Sequence, residues 1–235
     1  MTTINLQEKI ALVTGAGSGI GRSIAINLAA SGAYVIVNYR QNQIGASDTL
    51  DQITDSGGKG EIMAADVAMS AEVTQLFDSI SARFGRLDIL VNNAGGLVQR
   101  SKIVDMTEAL WDEVLGINLK STFLCSRAAL PLMRGHNWGR IINMSSLAAH
   151  DGGGFGATHY AASKAAIATF TRGLAKEAAP ECITVNCLAP GLINTAFHDT
   201  FTESVARQNM VNNTPLAREG QPLDVANAVL FLASD

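Results

Sequence analysis

The stretch "KIALVTGAGSGIGRSIAINLAASGA", residues 9–33, decides the fold. It begins as a short apolar run and breaks into a turn with glycines at 15, 17, 19 and 21. It then continues with Ile20, Ile24 and Leu28 on one helical face until Gly32 stops it. Glycines in such a turn let the backbone bend sharply and lie close to a pyrophosphate. The helix that follows offers unpaired N–H groups and the positive end of its dipole. The spacing is not the common GxGxxG, because counting from Gly15 the last glycine would fall on Ile20. A glycine-rich turn alone is a weak signal. The strand before it and the helix after it are what point to a dinucleotide.

The same alternation continues outward. "YVIVNY" (34–39), "GEIMAADV" (60–67), "LDILVNNAG" (87–95), "GRIINMSSL" (139–147) and "CITVNCLAPG" (182–191) read as strands. Segments 46–58, 70–85, 107–134, 159–180 and 222–234 carry helical periodicity. Strands that are almost continuously apolar need cover on both faces. The prediction is an α/β protein with a Rossmann-like, doubly wound parallel sheet and helices on both faces. No proline-rich or charged linker interrupts the series, so residues 1–235 are expected to form a single domain. Between 192 and 220 the periodicity fades into a polar, Asn- and Thr-rich stretch, read as a lid over a substrate site.

Composition removes several function classes. Hydrophobic residues make up 47% and charged residues 16% of 235, which suits a compact core. A formal net charge of −4, without any basic run, gives no attraction to nucleic acid or anionic lipid. No window approaches the ~18 apolar residues of a bilayer span, and the N-terminus does not read as a signal peptide. Cys125, Cys182 and Cys187 lack CxxC spacing and read as buried thiols in a reducing, cytoplasmic setting. The four histidines are scattered, so no metal is expected.

Four further signals bear on chemistry. An acidic residue at the end of the second strand would hold the ribose of NAD, but Asn38, Tyr39 and Arg40 stand there. With no carboxylate to repel a 2′-phosphate and a guanidinium to hold it, NADP(H) is favoured, with NAD(H) possible. "NNAG" (92–95) closes the fourth strand, and "INMSS" (142–146) the fifth. In "YAASK", Tyr160 and Lys164 are four apart and share a helical face.

Taken in order, "TGAGSGIG", "NNAG", "INMSS" and "YAASK" make the chain resemble the short-chain dehydrogenase/reductase family over nearly its whole length. The resemblance implies a catalytic set of Asn118, Ser146, Tyr160 and Lys164. Ser146 lies one residue further from Tyr160 than is usual in the family, so Ser145 stays open as the alternative. It implies a pyrophosphate turn of Gly15, Ser18, Gly19, Ile20 and Gly21, and adenosine contacts from Tyr39, Arg40, Asp66 and Val67. Asn92, Ala94 and Gly95 would support the cofactor cleft, and Pro190, Gly191, Ile193 and Thr195 would meet the nicotinamide amide. Tyr160 would act as general acid or base, with its phenolate favoured by Lys164, and Asn118 would hold a water. The implied reaction is hydride transfer between nicotinamide and a small-molecule ketone or secondary alcohol. Within the family the general character is nearest to 3-oxoacyl-carrier-protein reductases, with sugar or polyol dehydrogenases and a non-catalytic dinucleotide-binding scaffold as alternatives. The resemblance also implies a homo-oligomer, dimer or tetramer, paired through the helices at 107–134 and 158–178. It implies one more strand beyond "FLASD", where this sequence stops at Asp235. Phe197, Phe201 and Met210 in the lid, with His150 and Phe155 before Tyr160, suggest a partly apolar pocket.

Overall fold

In the computed structural model, which describes residues 4–235, strands and helices alternate. β1 (Ile10–Val13), α1 (Gly19–Ala30), β2 (Tyr34–Tyr39), α2 (Gln43–Asp55), β3 (Lys59–Ala64) and α3 (Ser70–Phe84) form the first half. β4 (Ile89–Asn92), α4 (Glu108–Leu115), α5 (Ser121–Met133), β5 (Gly139–Met144), the short α6 (Ala148–Asp151), α7 (Thr158–Ala178) and β6 (Ile183–Leu188) follow. α8 (Ala196–Phe201), α9 (Ser204–Asn213) and α10 (Pro222–Leu232) complete the chain. All strands join one parallel sheet in the order β3-β2-β1-β4-β5-β6. β1 and β4 are neighbours from which the connections run in opposite directions, so a crevice opens beyond their carboxyl ends.

The strand alternation explains why each run is apolar throughout. Ala11, Val13, Val35, Val37, Ile89 and Val91 pack on the side covered by α1, α2 and α10. Their immediate neighbours Leu12, Ile36 and Leu90 pack on the other side, against α3, α5 and α7. The register stacks Leu12 beside Ile36 and Leu90. α1 and α10 meet through small residues, Ala25 and Ala29 with Ala226, which lets the helices lie close.

Four local features differ from the sequence reading. α2 begins at Gln43 rather than near 46, because the Asn42 side chain accepts from the Gly45 N–H at 3.0 Å and caps it. The expected single helix over 107–134 is divided by a π-helical turn at Gly116–Lys120. The segment 192–220 contains α8 and α9 rather than irregular chain. Of the three free thiols only Cys125 is buried. Cys187 is half-buried, and Cys182 is exposed at a left-handed position, φ 58°, where the chain turns into β6.

One ionic contact fixes the floor of the sheet. The Asp88 carboxylate, buried at the start of β4, accepts from the Ile10 N–H at 2.8 Å and from Arg86 Nη2 at 2.6 Å and Nε at 3.0 Å. Removing it would leave a backbone donor and a guanidinium without a partner. Asp88→Ala is therefore expected to lower stability by about 2 to 3 kcal/mol. The check is a urea midpoint that falls while the slope is unchanged.

Candidate active site

The cleft at the carboxyl ends of the strands has a volume of about 880 Å³. Its floor is where two turns touch. Gly15 has φ +63°, and a Cβ there would stand 3.0 Å from the Ala94 Cα. A Cβ on Gly21 would come within 2.5 Å of both Asn93 Nδ2 and the Gly15 carbonyl. Hydrogen bonds hold this contact. Thr14 Oγ1 accepts from the N–H groups of Asn93 and Ala94, both at 3.0 Å. Asn93 Nδ2 donates to the carbonyls of Thr14 and Gly15 at 2.9 and 3.2 Å.

Ser18 is extended at the N-cap of α1, and its side chain makes no capping bond. The first N–H groups of the helix are thereby left to face the cleft, beside Gly19, Ile20 and Gly21. An uncapped helix start over a cradle that any side chain would fill suits a pyrophosphate.

At the adenosine end the cleft is bordered by Asn38, Arg40, Asp66 and Val67. Arg40 Nη1 lies 3.6 Å from Asp66 Oδ2, so the cation is partly balanced. Tyr39, expected here, does not border the cleft. Strand alternation turns its side chain away, against the core on the α1 side.

Asn92 is likewise displaced from its expected place. It is the last residue of β4, and its side chain turns into the interior, where Nδ2 donates to Ser126 Oγ at 3.0 Å and to Asn143 Oδ1 at 2.8 Å. Asn93, which the sequence reading passed over, borders the cleft instead. Ala94 and Gly95 do border it, as do Pro190, Gly191, Ile193 and Thr195 on the opposite wall. Gly19 faces Thr195, because a Cβ on the glycine would meet Thr195 Cγ2 at 3.4 Å.

Asn118 sits in the π-helical turn and is fully buried. Its Nδ2 donates to the carbonyls of Gly96 and Val114, each at 2.8 Å, and its Oδ1 accepts from the Gly96 N–H at 3.2 Å. Both side-chain hydrogens are therefore committed to the backbone, and the side chain does not border the cleft. Its amide clamps the Gly95–Gly96 segment instead. A Cβ on Gly95 would strike Asn118 Oδ1 and stand 3.4 Å from Lys164 Nζ, so the three groups converge.

The two adjacent serines separate clearly. Ser145 Oγ donates to the Lys164 carbonyl at 2.7 Å and is consumed in holding α7 to β5. Ser146 borders the cleft beside Tyr160, and its Oγ accepts from the Ala148 N–H at 3.2 Å. Lys164 is buried with its Nζ donating to the Met144 carbonyl at 2.8 Å, 5.6 Å from the centre of the Tyr160 ring. Burial brings its ammonium down to about 8, against a small opposing influence from Cys187. Burial pushes the Tyr160 phenol above its ordinary range, and the influence of Ser146 opposes this. The phenolate expected from Lys164 proximity is thus outweighed by desolvation in this state of the site.

Aromatic side chains form the remaining wall. Tyr160 packs on Phe197 at 5.8 Å between centroids, and Phe197 on Phe201 at 5.1 Å. Phe155 and Met210 also border the cleft, whereas His150 does not. Arg100 was missed because it lies in a segment without periodicity, yet it stands at the mouth. Among the described residues no group of His, Cys, Asp and Glu is placed to hold a metal, and no helix is long and apolar enough to cross a membrane.

Comparison with known proteins agrees with this geometry. A family model described as enoyl-(acyl carrier protein) reductase matches residues 15–235. A 3-oxoacyl-[acyl-carrier-protein] reductase of Synechocystis sp. is 41% identical over 234 residues, 98% of this chain and 91% of that protein. Among solved structures, a 7α-hydroxysteroid dehydrogenase complexed with NADH and 7-oxo glycochenodeoxycholic acid superposes with a TM-score of 0.93 and 36% identity. That match covers 99% of this chain and 89% of the other. A Beutenbergia cavernae structure assigned as an NAD(P)-dependent gluconate 5-dehydrogenase, with NADP at low occupancy, gives 0.92 and 36%, covering 100% and 92%.

The depressed Lys164 has a consequence for stability. Between pH 8 and 10.5 the unfolded chain still binds the lysine proton while the folded chain has released it, so this group makes stability rise with pH. Relative to Lys164→Met, the wild type should gain stability across that window. Parallel pH series of urea midpoints check this, and identical pH trends in the two proteins would contradict it.

Proposed function

The chain belongs to the short-chain dehydrogenase/reductase family, and we propose that it reduces small-molecule ketones of the 3-oxoacyl type with NADPH. Membership makes it a nicotinamide-dependent oxidoreductase acting between C=O and CH–OH. The observation that carries the finer reading is the convergence of Ser146, Tyr160 and the buried Lys164 on one wall of the cleft, opposite the uncapped start of α1.

When bound, the nicotinamide supplies the hydride. The chain's own residues manage the oxygen. Ser146 Oγ donates to the substrate oxygen on which charge develops. Tyr160, whose phenol burial pushes above its ordinary range, gives its proton to that oxygen as general acid in reduction. The Lys164 ammonium, held by the Met144 carbonyl 5.6 Å from the centre of the Tyr160 ring, favours the resulting phenolate. With a pKa of about 8 it can also return a proton near neutral pH. Asn118 acts as a positioning residue that keeps Gly95 and Gly96 pressed toward Lys164, rather than through a water on its side chain.

Gly15, Ser18, Gly19, Ile20 and Gly21 hold the pyrophosphate, Asp66 and Val67 border the adenine, and Ile193 and Thr195 receive the carboxamide. Arg40 favours NADPH, because its guanidinium can leave the 3.6 Å contact with Asp66 for a 2′-phosphate. Aromatic Phe155, Phe197 and Phe201 favour an acyl chain over a polyol. The lid is residues 192–220 of one catalytic domain, and the protein works in the cytoplasm as a homo-oligomer. Phe123, exposed on α5 under the Arg127 guanidinium, supports pairing through α5 and α7.

Tyr160→Phe should reduce turnover by about 10² to 10⁴ while leaving NADPH affinity unchanged. Steady-state kinetics with a fluorescence titration of NADPH would check both halves. Arg40→Ala should weaken NADPH binding by about tenfold to a hundredfold and leave NADH binding within twofold. Equal losses for the two cofactors would remove Arg40 as the discriminator.

A further inference from the structure

Arg100 stands in the same cleft as Tyr160, Ser146 and Phe197, and no carboxylate pairs with it among the described residues. Arg40 and Arg207, at the cleft edge and on the lid, each have an acidic partner. Asp151 and Glu203 also border the cleft, but neither forms an ion pair with Arg100.

The guanidinium is nevertheless fixed in place. Its Nε donates to the Phe201 carbonyl at the end of α8, and its Nη1 to the Phe155 carbonyl in the loop before α7, both at 2.7 Å. Two bonds from one planar group set the orientation of its plane, which reduces the entropy a ligand must overcome. Nη2 has no partner among the described residues, and one Nη1 hydrogen is also free. Gly154 lies against the guanidinium, where a Cβ would stand 3.3 Å from Nη1 and 3.6 Å from Nη2, so the glycine is what lets the group sit beside this loop. Nη2, with both hydrogens uncommitted among the described residues, offers charged donors to an anionic oxygen.

His198, on the same wall, is held below its ordinary range first by burial, then by the Arg207 cation, with Arg100 adding to the effect against Glu219 and Asp199. Burial thus disfavours a second cation beside Arg100.

Resting on the reductase reading, we propose that Arg100 is a specificity residue, and that the substrate is a ketone whose chain carries an anionic oxygen group, a carboxylate or a phosphate, bound by the free edge of the guanidinium. The aromatic wall of Phe197 and Phe201 covers the carbon chain between that group and the reacting carbonyl.

The test is calorimetric binding to the NADP⁺-loaded protein. The 3-oxo, 4-oxo and 5-oxo acids are compared with their methyl esters, and hydroxyacetone phosphate with hydroxyacetone. The wild type should bind at least one anionic ligand about tenfold more tightly than its neutral counterpart. Arg100→Gln should erase the difference while the neutral ligand still binds, and Arg100→Lys should restore part of it. The acid arm and the phosphate arm identify which anion is preferred. Equal binding of every anion and its neutral partner by the wild type would overturn the proposal, and so would a loss in Arg100→Gln that is the same for both. NADPH consumption with the methyl esters tests the reductase reading separately, because it does not involve the anion.

Discussion

The site depends on a backbone contact, the meeting of the β1–α1 turn with the turn that follows β4. Gly15 and Gly21 have no room for a side chain there, and Thr14 and Asn93 tie the two turns together with bonds of 2.9 to 3.2 Å. Neighbouring parallel strands whose connections diverge leave a crevice, but the crevice becomes a cradle only because these turns lie so close. The uncapped α1 start forms one lip. The Gly95–Gly96 segment, clamped by Asn118, forms the other and carries the contact on to Lys164.

Burial then sets the chemistry. Desolvation moves Lys164 and Tyr160 in opposite directions, down to about 8 for the ammonium and upward for the phenol, each toward its neutral form. The opposing influences are local. They are the influence of Ser146 on the phenol and, for the lysine, that of Cys187. A neutral acid next to a lysine that exchanges its proton near physiological pH is a suitable pair for protonating an oxygen as it gains charge. Of the cleft's arginines, Arg40 is paired with Asp66, whereas Arg100 has no acidic partner among the described residues.

Much of this could be read from the sequence. Apolar strands of alternating destination and the glycine turn follow from local pattern, and the sheet follows from them, whereas the catalytic roles of Ser146, Tyr160 and Lys164 came from the family resemblance. What escaped was decided by single-residue phase or by distant partners. Asn92 and Asn93 are adjacent, and only the end of β4 determines which one faces the cleft. Tyr39 and Arg40 are separated by the same alternation. The π-helical turn has no period of its own, and it exists to deliver Asn118 to Gly96, twenty-two residues earlier. Asn42 as the cap of α2, and Arg100 as a bridge between Phe155 and Phe201, are likewise visible only once the chain is folded.

The most direct test of the central claim follows the hydride itself. The protein is incubated with NADPH carrying deuterium at both nicotinamide C4 positions and a 3-oxoacyl thioester, and the product alcohol is examined by mass spectrometry. The account predicts one deuterium on the carbinol carbon, formed at a rate that collapses in Tyr160→Phe. Product without deuterium, or no product from a protein that binds NADPH and melts cooperatively, would contradict it.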